Sequence, residues 1–165
     1  MKIALSTDHA GYERMKKLKD GLELAGYACH DFGPAVFDVE DDYPDFIRPA
    51  CEAIIAGGCS LGIIFGGSGQ GEAMAANRHP GIRCTVWYGP SIAVEAVDAV
   101  GTMSTNPYEI LKLSKEHNDA NMLSIAGRFV TDAETLKVAI LWLNEVFKGE
   151  ERHTRRIQKL DNIGG

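Results

Sequence analysis

The 165-residue sequence is short of several features that would each have pointed to a class of function. It holds four cysteines, Cys29, Cys51, Cys59 and Cys84, with no CxxC pair and no finger-like spacing. That removes the usual sequence grounds for a metal module, and all four lie in or beside apolar segments as buried free thiols do. Positive charge is not in excess either. Seventeen Lys and Arg stand against 23 Asp and Glu, a net charge of −6, which is the wrong sign for a nucleic-acid surface. No apolar run approaches the ~20 residues of a membrane span. The opening residues, Lys2-Ile-Ala-Leu-Ser6, read as a strand rather than a signal peptide. The expectation is a soluble, cytoplasmic chain with neither membrane nor nucleic acid as partner. A GxGxxG fingerprint is also missing after that strand, where Asp8-His9 stands instead, and this counts against nucleotide binding.

What is present is an alternation of strand and helix patterns. Apolar runs at Lys2–Ser6, Tyr27–Asp31, Leu61–Phe65, Arg83–Tyr88 and Met122–Ile125 predict five strands. Helical spacing predicts helices over Tyr12–Ala25, Phe46–Ala56, Gly71–Asn77, Ser91–Val100, Pro107–Glu116, Thr131–Phe147 and Arg152–Asp161. Gly26 stops the first of these, Thr131 or Asp132 caps the long one, and Pro34–Pro44 is an acidic loop. Strands that read as continuous apolar runs between helices build a parallel sheet covered on both faces. The length suits one α/β domain spanning residues 1–165. Ligands of such sheets bind at the carboxyl ends of the strands, here the loops Thr7–Gly11, Gly66–Glu72 and Ala126–Arg128.

The stretch Phe65-Gly-Gly-Ser-Gly-Gln-Gly-Glu72 carries the most chemistry. Four glycines are more than a strand-to-helix turn needs. They let peptide N–H groups turn toward one point, and the start of a helix adds partial positive charge. Such a loop can hold a phosphate or an oxyanion, and Glu72 sets a carboxylate beside it. Anion stabilisation next to a base suggests proton chemistry on a carbonyl compound. Burial would raise the Glu72 pKa and a helix N-terminus would lower it; the sequence does not say which prevails. Simpler readings remain open at this point. Glu72 could merely complement the helix dipole, Asp8 could be only an N-cap, His9 a surface residue and His117 a helix-end cap. Arg152, His153, Arg155 and Arg156 fit a solvated basic face as well as an anion site.

Six motifs then occur in order: Asp8-His9-Ala10-Gly11; Asp42-Tyr43-Pro44; Gly67-Ser68-Gly69-Gln70-Gly71 with Ala75-Ala76-Asn77; Gly81-Ile82-Arg83; His117-Asn118-Asp119; and Arg152-His153 with Arg156. Together they resemble the B-type ribose-5-phosphate isomerases and their relatives, the galactose-6-phosphate isomerase subunits. The resemblance implies a Rossmann-like doubly wound sheet and a homodimer, or a tetramer of paired dimers. Each active site would take residues from both subunits, with the C-terminal helix reaching the partner. It implies interconversion of aldose and ketose phosphates, ribose 5-phosphate by default, through a cis-enediolate with no metal and no cofactor. In many members the base is a cysteine just ahead of the glycine loop. Here that position is Gly66, so the chain resembles instead a branch, actinobacterial enzymes included, that uses a glutamate matching Glu72. By the same resemblance His117 and Asp8 open the sugar ring, and Ser68 with the N–H groups of Gly67, Gly69 and Gly71 holds the enediolate. Asn118 and Tyr43 contact hydroxyls. Arg128, Arg152 and Arg156, with His9 and His153, bind the phosphate.

One stretch departs from the pattern. Between Arg83 and His117 the chain is longer than typical members, the extra residues falling within 88–107. That leaves room for a hexose 6-phosphate or tetrose 4-phosphate substrate, or for a subunit that binds a sugar phosphate without turning it over.

Overall fold

The computed structural model describes residues 1–163. Five strands form one sheet: β1 (Lys2–Thr7), β2 (Ala28–Asp31), β3 (Leu61–Gly66), β4 (Cys84–Trp87) and β5 (Met122–Ala126). Their order is β2-β1-β3-β5-β4, and every neighbouring pair is parallel. Six α-helices cover it: α1 (Tyr12–Leu24), α2 (Tyr43–Ile55), α3 (Gln70–Ala76), α4 (Glu109–Asn118), α5 (Asp132–Asn144) and α6 (Glu151–Asp161).

Successive strand residues point to opposite faces, and both faces are covered. Ile3, Leu5, Ile63, Phe65, Leu123 and Ile125 meet α1, α4 and α5 through Met15, Leu18, Leu22, Leu111, Val138 and Trp142. Ala4, Ile64 and Met122 face the other way, onto Ile47, Ala50 and Cys51 of α2 and Ala73 and Ala76 of α3. Two-sided burial is why the strands read as unbroken apolar runs instead of alternating ones. Each large side chain taken out of water, such as Leu22 or Ile63, stabilises the fold by roughly 1.5–3 kcal/mol. All four cysteines are free, three of them buried. Burial pushes Cys29 up to about 11 and Cys51 up to about 12, so neither offers a thiolate at neutral pH. Cys84 is pushed up further by its deeper burial. Among the described residues no helix is long and apolar enough to cross a membrane.

Two sequence expectations change. The predicted helix at Ser91–Val100 does not form, and the chain is irregular from Tyr88 to the start of α4. Its apolar residues have nothing to pack on, Ile92, Val94 and Val100 being 54%, 92% and 88% exposed. The Asp98 carboxylate also accepts from the N–H groups of Val100 and Thr102 at 3.0 and 2.9 Å, a local turn that competes with helical bonding. Secondly, α2 begins at Tyr43 rather than Phe46, with Pro44 in its first turn, where a missing N–H costs nothing. That shift brings Tyr43 out of the acidic loop and onto a helix. Of the two proposed caps for α5, Thr131 is the one used, its hydroxyl accepting from Glu134 N–H at 3.2 Å.

Strand order reverses about β1 and β3, leaving a crevice at their carboxyl ends, where doubly wound sheets bind ligands.

Candidate active site

The loops leaving β1, β3 and β5 are tied together at that crevice. Gly127 N–H donates to Gly66 O at 2.9 Å and Arg128 N–H to Gly67 O at 3.1 Å. The Thr7 hydroxyl donates to Phe65 O at 3.2 Å. Gly69 takes φ of +73°, a value that favours glycine, as the residue before α3. Its carbonyl is fixed from below by the buried Ser124 hydroxyl at 2.7 Å. The loop therefore rests on the sheet rather than floating above it. Ser68 is exposed at its tip and accepts from Gln70 N–H at 3.4 Å. The Arg128 guanidinium lies over Gly67, and the Tyr43 ring against Gly71, where side chains larger than hydrogen would crowd both.

Glu72 sits in the first turn of α3 and is 5% exposed. Its carboxylate occupies the space beside the Gly66 Cα, so closely that a Cβ on Gly66 would overlap the carboxyl carbon and both oxygens. The question left open by the sequence is answered here. Burial, with some help from Asp8, raises the Glu72 pKa above the ordinary carboxylate range, against the pull of its own backbone N–H and of His9. A carboxyl with that environment is poised for proton transfer.

Asp8 is an N-cap, accepting from Ala10 N–H at 2.8 Å, and it is also a buried carboxylate facing the crevice alongside Glu72. His9 is held by a residue that sequence reasoning missed. Asp41 Oδ1 accepts from His9 N–H at 3.1 Å and from His9 Nδ1 at 2.7 Å. The Asp41 hydrogen bond is the main reason that the His9 pKa is raised.

The remaining predicted residues lie elsewhere in the chain. His117 and Asn118 end α4, which feeds the amino end of β5, whereas Arg128 follows its carboxyl end. The five residues of β5, at about 3.3 Å each, separate the two poles by roughly 15 Å. Helix α6 joins the far pole: His153 stacks on His117 with ring centroids 4.1 Å apart and planes 12° apart. His153 is 5% exposed and its pKa is lowered, chiefly by burial. Arg156 is exposed, and Arg152 pairs with Glu150 at 2.9 Å. Arg83 organises this pole. Its guanidinium donates to the carbonyls of Asn118 and Asp119 and pairs with the carboxylates of Asp119 and Asp161, which ties the turn after His117 to the end of α6. Asn118, Arg83 and Asp161 line a cavity of about 500 Å³.

The residues expected from sequence thus fall into two groups within one chain: Asp8, His9, Tyr43, Gly67, Ser68, Gly69, Gly71, Glu72 and Arg128 at the carboxyl ends, and His117, Asn118, Arg152, His153 and Arg156 at the opposite pole. Of the residues that sequence missed, Asp41 had no signal, being one acid among Asp38, Glu40, Asp41 and Asp42. Arg83 was noted only as part of a motif.

The family model for Ribose/Galactose Isomerase matches residues 3–102 and 84–160. Ribose-5-phosphate isomerase B of Mycobacterium tuberculosis is 35% identical over 160 residues, covering 97% of this chain and 88% of that protein. The structure of Clostridium thermocellum ribose-5-phosphate isomerase B superposes with a TM-score of 0.83 at 34% identity, covering 99% and 97% of the two chains. Ribose-5-phosphate isomerase B from Mycoplasma genitalium, solved with bound ribulose 5-phosphate, gives 0.81 at 30% identity, covering 97% and 93%.

Proposed function

The chain belongs to the ribose/galactose isomerase family, and we propose that it interconverts ribose 5-phosphate and ribulose 5-phosphate with Glu72 as the base. The observation that carries this reading is a buried carboxylate of raised pKa, packed where Gly66 leaves it room at the head of a glycine loop. In the open-chain aldose, Glu72 takes the proton from C2. The electron pair forms the C1–C2 double bond, and the carbonyl oxygen becomes the enediolate oxygen. N–H groups of Gly67, Gly69 and Gly71 with the Ser68 hydroxyl hold that charge. The O2 hydroxyl proton then passes to O1, and return of the carbon-bound proton to C1 as the C2 carbonyl forms yields the ketose. Oxidation at C2 balances reduction at C1 within one molecule, so the reaction needs no redox cofactor.

Ring opening comes first, and its proposed residues, Asp8 and His117, stand at opposite poles of one chain. We assign the functional unit as a homodimer, or a tetramer of such dimers, in which the partner's α4 and α6 close each crevice. The second subunit brings a proton donor for the ring oxygen, Asn118 for the hydroxyls, and Arg152, His153 and Arg156 to join His9 and Arg128 around the phosphate. Planar guanidiniums match phosphate oxygens in pairs. The prediction is complementation. Glu72→Gln and His117→Asn are each inactive as pure proteins. Unfolded and refolded together, they regain about a quarter of wild-type activity, because half of the random dimers are hybrids with one intact site each. A mixture that stays inactive would place the whole site within one chain.

A second reading concerns the sugar. Residues 88–107 follow the carboxyl end of β4, and Tyr88 lines a groove with Gln70 and Met74 of α3, so this added segment lies at the same pole as the glycine loop and can reshape the pocket for a hexose or tetrose phosphate. The test is isomerisation by chelator-treated protein on ribose 5-phosphate, allose 6-phosphate, galactose 6-phosphate and erythrose 4-phosphate. Turnover of ribose 5-phosphate ahead of the others is expected. Preference for another sugar would transfer the assignment to it, and binding without turnover would make the chain a sugar-phosphate-binding subunit.

A further inference from the structure

We propose that Asp41 is a positioning residue that holds His9 as an imidazolium in the orientation in which it meets the substrate phosphate. The inference rests on the phosphate role given to His9 above and adds the residue that maintains it. Asp41 lies in the acidic loop before α2, just ahead of Asp42-Tyr43-Pro44 and 32 residues along the chain from His9. One of its oxygens accepts both from the His9 backbone N–H at 3.1 Å and from Nδ1 at 2.7 Å. A carboxylate can only accept, so Nδ1 carries a proton and Nε2 is left for the ligand. Two bonds from one oxygen fix both the backbone and the ring of His9, which a single side-chain contact would not do.

Charge favours the same arrangement. The Asp41 side chain is 8% exposed and the His9 side chain 28%. The second Asp41 oxygen is buried with no hydrogen-bond partner among the described residues. A buried carboxylate is costly without a counter-charge, and the imidazolium is the cation hydrogen-bonded to it. The other charged groups facing His9 are Asp8 at the end of β1, with an oxygen 3.9 Å from Nδ1, Arg128 after β5, and Glu72 on α3. Asp8 favours the protonated ring and Arg128 opposes it, while the Asp41 contact is the shortest and the strongest influence. A phosphate arriving between His9 and Arg128 therefore meets two positive groups rather than one while His9 is protonated. Because the His9 pKa is raised, the second charge is present below it and is lost as pH climbs through it.

The experiment pairs a histidine NMR titration with steady-state kinetics on ribose 5-phosphate for wild type, Asp41→Asn, Asp41→Glu, His9→Asn and the double variant Asp41→Asn/His9→Asn. In Asp41→Asn the His9 resonance is expected to titrate at lower pH. KM at pH 7.5 rises about 10-fold, the scale of a charge-assisted hydrogen bond, with kcat within a few-fold, and the climb of KM with pH begins earlier. Asp41→Glu restores part of the loss, and Asp41→Asn adds nothing on the His9→Asn background. An unmoved His9 titration overturns the proposal, as does an Asp41→Asn effect that persists without His9. A shifted titration with unchanged KM overturns it too, by removing His9 from the phosphate. If wild type turns over no sugar phosphate, the proposed function fails instead, and inorganic phosphate titrated against the His9 resonance decides the pairing on its own.

Discussion

Replacing Glu72 by Gln should reduce kcat by about two to four orders of magnitude, the range associated with loss of a general base, while KM moves little. Glutamine keeps the shape and the packing against Gly66 but cannot accept the proton. The pH dependence gives the same assignment a second handle. The base must be ionised, and burial raises its pKa, so the acid limb of kcat/KM in wild type lies above the pH at which an ordinary glutamate titrates. As pH falls through that raised value the rate falls with it, and this limb disappears from the residual activity of the variant. The stability consequence has the opposite sign. The folded protein holds the Glu72 proton more tightly than the unfolded chain, so the contribution of Glu72 to stability is fully present below the ordinary carboxylate pKa and is lost as pH rises through the raised one. At neutral pH Glu72→Gln should therefore melt at a higher temperature than wild type while being nearly inactive. Such a trade is expected where a site stores a buried charge for chemistry. Kinetics and thermal unfolding on the same preparation check both halves. A variant that retains wild-type kcat would remove Glu72 from the mechanism.

The parts of this architecture that were legible from sequence share a physical reason. Parallel strands buried on both faces leave unbroken apolar runs, and all five were readable with ends within a residue or two. The pole at their carboxyl ends followed from topology, since a doubly wound sheet leaves a crevice there whatever the side chains. The helix expected over Ser91–Val100 was a misreading because helix propensity is a local quantity. Whether Val94 and Val100 find a partner is not local, and here they find none. Asp41 was invisible for a different reason: its role is a tertiary hydrogen bond 32 residues back along the chain, and nothing in an acidic loop marks which carboxylate turns inward. The two groups of residues were separately legible as motifs. Their distance within one chain was not, because it depends on which end of β5 each motif adjoins.

Gly66 is where sequence and geometry explain one another, and it supports the other large effect. The position that holds a cysteine base in many relatives is filled here by the Glu72 carboxylate, and a Cβ at residue 66 would overlap that carboxyl group where it now stands, so the carboxylate would have to move. Gly66→Ala should then displace the base by about 1 Å or more, enough to lower kcat around 100-fold. Overpacking should also cost about 1–3 kcal/mol of stability, measurable by urea unfolding. Backbone strain is not the cause, because Gly66 is absent from the glycines with positive φ. The overlap is with one side chain only, so it should vanish with that side chain. In a Glu72→Ala background, Gly66→Ala should leave stability nearly unchanged, a departure from additivity of the size expected for residues in direct contact. Gly66→Cys on that same background fills the vacated space with a thiol at the position used by the cysteine branch, and turnover should rise above that of Glu72→Ala alone. If Gly66→Ala instead keeps wild-type kcat and stability, the carboxylate is not confined beside residue 66, and a glutamate there would be a helix-capping charge rather than the base.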